Sequence, residues 1–346
     1  MIEKYYSGVI EQIYNRIGKE TRNIVMANYS NDFSIENLEV IRRYQSNEDN
    51  VFFAYSEFSY NTLVGAYEPF LDIICNMHRR FIGGSFDDFQ KECGVYYLHR
   101  QVLNSYYETG ECFREETVLL NEVAYEQRRM TMAIADMLKK LSEVKPLMIV
   151  INRFQMASKS SIETIKYLID NPCANIGIVL GVNAIVKGTD STVEVWDRIV
   201  ESLEDRSAIY YIGSAGPLKN NVKTTNDDEL YITMNFEQSI QEASNIMEFL
   251  DFEQARRGCR IIEHKLKFED AWIDEKSLRR FYMVYARTSV LLGEMSKAIE
   301  LTNEYKALIP ENDSEHYLSL YYFMKGTCYM YQGKLEKAGN SAKSAY

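Results

Sequence analysis

Five short runs of almost unbroken apolar residues, each closed by a polar turn, constrain this chain more than any other feature. They read NIVMANY (23–29), NVFFAYSEF (50–58), PLMIVIN (146–152), NIGIVLGV (175–182) and SAIYYIG (207–213). A strand with one wet face alternates apolar and polar residues. These runs do not, so both of their faces must be covered. Between them lie stretches with helical spacing, among them Ile35–Tyr44, Tyr67–Phe81, Glu116–Leu141 and Ser161–Ile169. Strands and helices in alternation predict a parallel sheet held between two helical layers, a three-layer α/β domain over residues 1–215.

The pattern then changes. Residues 216–234, opening GPLKNNVKTTNDDEL, read as a linker, and from 235 to 346 only helical spacing is sustained. This tail repeats itself: LLGEMSKAIE (291–300) matches YQGKLEKAGN (331–340), with Gly293/Gly333, Lys297/Lys337 and Ala298/Ala338 each 40 apart. Small residues precede at a fixed offset of 12, Ala286 before Ala298, Gly326 before Ala338 and Ala243 before Ala255, and Pro310 follows Ala298 by the same 12. Small residues where paired helices touch, a turn glycine and a closing proline predict stacked helix pairs of the tetratricopeptide kind. Such arrays need a polar capping helix, and none follows SAKSAY, so the natural chain is expected to continue beyond Tyr346.

Charge narrows the functional classes. Residues 251–346 hold 15 basic and 14 acidic residues, which leaves 24 basic and 36 acidic, a net of −12, in residues 1–250. An acidic front portion and a neutral back portion argue against binding a phosphate backbone. No stretch approaches the roughly 18 apolar residues that span a bilayer, and the N-terminus has no apolar signal core. Six cysteines lie singly, as expected of reduced thiols in a cytoplasm. Cys93, His99 and Cys112 fit no common zinc spacing. His78, His99, His264 and His316 have no nucleophile at a recognised spacing, and FIGGSFDDF (81–89) reads as a turn.

In an α/β sheet of this order a phosphate-binding loop would follow the first strand. It needs glycines, a Lys for the terminal phosphates and a Ser/Thr for magnesium. The segment YSNDFSIENL (29–38) has no glycine, and Ser34, Ile35 and Glu36 occupy the critical positions. Hydrolysis further needs an acid at the end of the strand 147–152 and a second to position water. Asn152 and Arg153 stand there instead.

The segment PLMIVINRFQMASKSSIETIKYL (146–168) resembles PLLLVIDDLQWADPSSLELLEYL, typical of STAND-type signalling ATPases, which are related to the maltose-type and LuxR-type transcription regulators. Pro146, Gln155, Ala157, Ser160 and Ser161 keep that pattern, while Asn152, Arg153, Met156 and Ser158 depart from it. AYEPFLDII (66–74) is similar to the PYxPFxxxL segment of the same proteins, and a tetratricopeptide-like array is their usual sensor. The resemblance implies a P-loop-NTPase-like domain followed by a repeat array that reads a protein or small-molecule inducer. It also implies that nucleic acid is reached only through a further C-terminal domain. With vestigial positions at Ser34, Ile35, Glu36, Asn152 and Arg153, we expect no catalytic residue, no metal and no ATP or magnesium cofactor. The expected function is a non-hydrolysing regulatory protein. An NTPase working through atypical residues and a pure interaction scaffold are the alternatives. Tyr317, Tyr321 and Tyr322 are the candidates for partner binding, set against a role in packing between repeats.

Overall fold

The computed structural model describes residues 2–29, 39–46, 50–59, 63–114, 122–183, 186–189, 193–212, 223–225, 235–268, 273–310 and 314–345. The chain divides into two compact units. One comprises Met1–Gly110 and Arg128–Tyr231, the other Glu111–Gln127 and Ile232–Tyr346. Residues 111–127, which fall inside the first domain by sequence, thus belong with the helical tail.

The first unit is mixed α/β. It runs α1 (Ile2–Arg16), β1 (Ile24–Tyr29), α2 (Glu39–Ser46), β2 (Phe52–Glu57), α3 (Phe70–Met77), α4 (Phe86–Glu92), α5 (Tyr97–Thr109), α6 (Val123–Val144, of which the part from Arg128 belongs to this unit), β3 (Leu147–Asn152), α7 (Lys159–Asp170), β4 (Ile176–Asn183), β5 (Val186–Thr189), α8 (Val193–Glu204), β6 (Ile209–Ile212) and β7 (Lys223–Thr225). A π-helical turn, His78–Ile82, prolongs α3, and a 3-10 turn, Phe154–Met156, follows β3. Five strands form one sheet in the order β2-β3-β4-β1-β6, every pair parallel. The short β5 and β7 pair separately. Of the expected linker 216–234, the described residues 223–225 form β7.

Every residue of β3 and β4 is buried, which is why neither run alternates. On one face Val25, Ala27, Tyr29, Phe53, Met148, Val150, Val179 and Ile212 pack with Tyr6, Val9, Ile10 and Ile13 of α1 and Val40 and Ile41 of α2. The intervening residues Met26, Phe52, Leu147, Ile149, Ile151, Ile178 and Leu180 are equally buried. Each such aliphatic side chain contributes about 1.5–3 kcal/mol by leaving water. Helix α1 is absent from the sequence expectation, although Tyr6, Val9, Ile10 and Ile13 fall at the i, i+3, i+4, i+7 spacing of one helix face.

The second unit is helical: α9 (Phe236–Glu248), α10 (Phe252–Phe268), α11 (Glu275–Leu291), α12 (Met295–Ala307), α13 (Ser314–Tyr331) and α14 (Leu335–Ala345). Consecutive helices pair, α9 with α10, α11 with α12 and α13 with α14. Ala243, Ala255, Ala286 and Ala298 are all buried. A Cβ on Gly326 would meet Ser341 Cβ at 3.3 Å and the Ala338 carbonyl at 3.5 Å, so a small residue lets α13 and α14 approach. Among the described residues, no helix is long and apolar enough to cross a membrane.

Candidate functional site

Ligands of open parallel sheets bind outside the carboxyl ends of the strands, where successive connections part in opposite directions. Here that point lies between β1 and β4. The chain leaves β1 towards β2 on one side, and leaves β4 towards β6 on the other. The strands end there in Tyr29, Asn183, Asn152 and Glu57, with Tyr29 opposite Asn183 and Glu57 opposite Asn152 in register.

The ends of these strands are occupied by side-chain contacts of the protein's own. Asn152 is fully buried, and its Oδ1 accepts a hydrogen bond from Tyr29 Oη at 2.6 Å. Gly181 makes room for this arrangement, since a Cβ there would stand 2.8 Å from Asn152 Oδ1 and 2.5 Å from Tyr6 Oη. Burial pushes the Tyr6 hydroxyl well above its ordinary pKa, and Tyr29, Tyr55 and Glu57 add to the effect, so it stays protonated. A neutral amide oxygen among phenols suits this enclosure. An ionised carboxylate would meet a large desolvation cost.

Arg153 follows with left-handed backbone, φ 53°. Its Nη1 lies 3.1 Å from Glu57 Oε1 and donates to the Phe58 carbonyl at 3.4 Å, and Tyr55 Oη donates to Glu57 Oε2. The guanidinium is thus tied to the last residue of the neighbouring strand. Asn28, one residue before the end of β1, is fully buried, and neither atom of its amide has a hydrogen-bond partner among the described residues.

The segments 66–74 and 146–168 meet. Ser160 Oγ accepts from Tyr67 N at 3.0 Å, and Ser161 Oγ donates to the Glu68 carbonyl at 2.7 Å. Gln155 Oε1 accepts from Asn183 N at 3.3 Å, fastening the turn after β3 to the end of β4. The N-cap of α7 is Ser158, whose Oγ accepts from Ser161 N at 3.4 Å. Ser160 and Ser161 hold the 67–68 turn.

The positions Ser34, Ile35 and Glu36 lie outside the described residues. Tyr321 is buried, its hydroxyl accepts from Lys325 Nζ at 2.6 Å, and Lys306 Nζ lies 5.2 Å from its ring centre. Tyr317 and Tyr322 are half-buried, and the Arg279 guanidinium sits 5.1 Å over the Tyr317 ring. Among the described residues, no group of three or more His, Cys, Asp or Glu side chains could hold a metal ion. His78 is fully buried with Nδ1 3.1 Å from Tyr107 Oη, and burial pulls its pKa down, helped by Arg79. No protein-family model matches the chain, and no curated protein matches it.

Proposed function

We propose that this chain is the platform and sensor region of a regulatory signal-transduction protein, built on a P-loop-NTPase-like sheet that does not hydrolyse nucleotide. The tetratricopeptide-like helix pairs of the second unit recognise a protein or small-molecule inducer, and an output domain of the LuxR type acts through that recognition. The observation that carries this reading is the buried Tyr29–Asn152 hydrogen bond, with Arg153 held by Glu57 beside it. A hydrolase needs magnesium-holding acid and an acid that orients water at these two places. The residues present supply an amide and a cation, and both are engaged in holding strand ends together. The strand order, the meeting of the 67–68 turn with Ser160 and Ser161, and the pairing of α9 to α14 support the family-like scaffold.

Calorimetric titration with ATP and ADP, with and without magnesium, tests this reading, alongside a phosphate-release assay. We expect neither magnesium-dependent binding below about 1 mM nor phosphate release above background. Magnesium-dependent binding would overturn the expectation of no nucleotide cofactor, and phosphate release would return the chain to the NTPases.

A further inference from the structure

The second unit holds a cavity of about 530 Å³ whose wall is mostly apolar. This lies within the range of small-molecule sites, about 300–1,000 Å³. Phe323 and Met330 line it, 50 % and 45 % exposed, and Gly339 and Ala342 of α14 leave further space. One part of the wall is charged. Arg114, Glu248 and Arg287 line it together.

Arg114 enters from the segment 111–114, which is pinned to α9 by Cys112 N donating to Asn245 Oδ1 at 2.9 Å. Its side chain is 2 % exposed. Nη2 donates to the Glu248 carbonyl at 2.9 Å, and Nε stands 3.8 Å from Glu248 Oε2. Glu248 Oε1 also accepts from Arg287 Nη1 at 2.9 Å, so one carboxylate on the wall answers two guanidiniums. Burial lowers the pKa of Arg114, while Glu248 and Glu126 raise it; Glu126 does not line the cavity. Arg114 Nε and Nη1 are sealed from solvent and do not face the cavity. Two guanidiniums against one carboxylate leave this part of the wall with a net positive charge, which favours an anionic group in the cavity.

We propose that this cavity binds a small amphiphilic carboxylate, its chain along Phe323 and Met330 and its anionic head at the positively charged wall made by Arg114 and Arg287. The proposal rests on reading the helical unit as the recognition element, and it names the chemical class of the inducer.

The test uses the 346-residue chain and three eight-carbon probes, octanoate, octanol and octylammonium, in calorimetric titration. Octanoate should bind at least about tenfold more tightly than octanol, the effect expected of a buried charge-assisted hydrogen bond, and octylammonium should be weaker still. Arg114→Met should abolish the preference for the acid over the alcohol. Because that variant empties a buried site, a second one keeps the outcome readable. A Cβ on Gly339 meets nothing within 4 Å, so Gly339→Phe narrows the cavity without a backbone clash. It should weaken octanoate at least about tenfold while thermal unfolding is unchanged or raised. Equal binding of acid and alcohol, no octanoate binding, or octanoate affinity untouched by Gly339→Phe would each overturn the proposal. Phosphate release from magnesium-ATP would sink the non-hydrolysing reading and leave the octanoate result standing, so the two fail separately.

Discussion

The buried amide at the end of β3 has consequences that can be measured at single residues. Asn152→Asp puts an ionisable group into a fully buried position that accepts from Tyr29. We expect a loss of about 2–4 kcal/mol in urea unfolding at neutral pH, with no phosphate release gained. Burial raises the folded-state pKa of the new carboxyl, so the loss should shrink as the pH falls from the folded value towards the ordinary Asp value of about 3.9, and vanish below about 3, where the group is protonated in both states. Gly181→Ala tests the same enclosure from the opposite side. Its methyl would stand 2.5 Å from Tyr6 Oη and 2.8 Å from Asn152 Oδ1, too close for either to remain in place. Overpacking of this kind costs about 1–3 kcal/mol, read as a lower urea midpoint with an unchanged slope.

Among the elements, the three helix pairs close by one local device. Leu250, Gly293 and Gly333 each follow the first helix of a pair with left-handed backbone, φ 68°, 78° and 72°. Each donates its N–H three residues back, to the Met247, Val290 and Met330 carbonyls, and the next residue donates five back, to Ile246, Ser289 and Tyr329. This is the hydrogen-bond pattern of a Schellman cap. Glycine adopts it freely, whereas leucine carries a strain of about 1–2 kcal/mol. Leu250 is 2 % exposed, and burial of its side chain offsets that strain. Leu250→Gly should therefore destabilise the protein by about 1–3 kcal/mol in thermal or urea unfolding, despite the easier backbone. A stabilised variant would show that strain outweighs packing there.

For the whole molecule, charge sets the response to acid. Glu263 of α10 is pushed up by burial but pulled further down by Lys297 of α12 and Lys267, leaving its pKa below the ordinary value. Lys297 Nζ donates to Glu263 Oε1 at 3.1 Å and thereby links two helix pairs. A depressed carboxylate stabilises the fold above its unfolded pKa, about 4.3, and that contribution is lost as the pH falls through the folded value. Thermal unfolding between pH 7 and 3 should show Glu263→Gln less stable than the parent by up to about 1 kcal/mol at neutral pH, the gap closing on acidification. A gap independent of pH would assign the loss to packing instead.

Much of the architecture was legible in the chain because burial on both faces leaves an unbroken apolar run, and each of the five runs became a strand of one parallel sheet. The tail was legible as helices through its 40-residue match and small residues. Its first pair was harder to see, because Leu250 stands where the other two keep glycine. That an amide and a guanidinium stand at 152 and 153 is read from residue type alone. What only the tertiary structure decided was where those side chains went. Asn152 meets Tyr29, 123 residues away, and Arg153 meets Glu57, because parallel strands distant in sequence end side by side. The grouping of Arg114 with Glu248 and Arg287 is of the same kind. No local pattern marks it, because Arg114 and Glu248 stand 134 residues apart in sequence and meet only through packing.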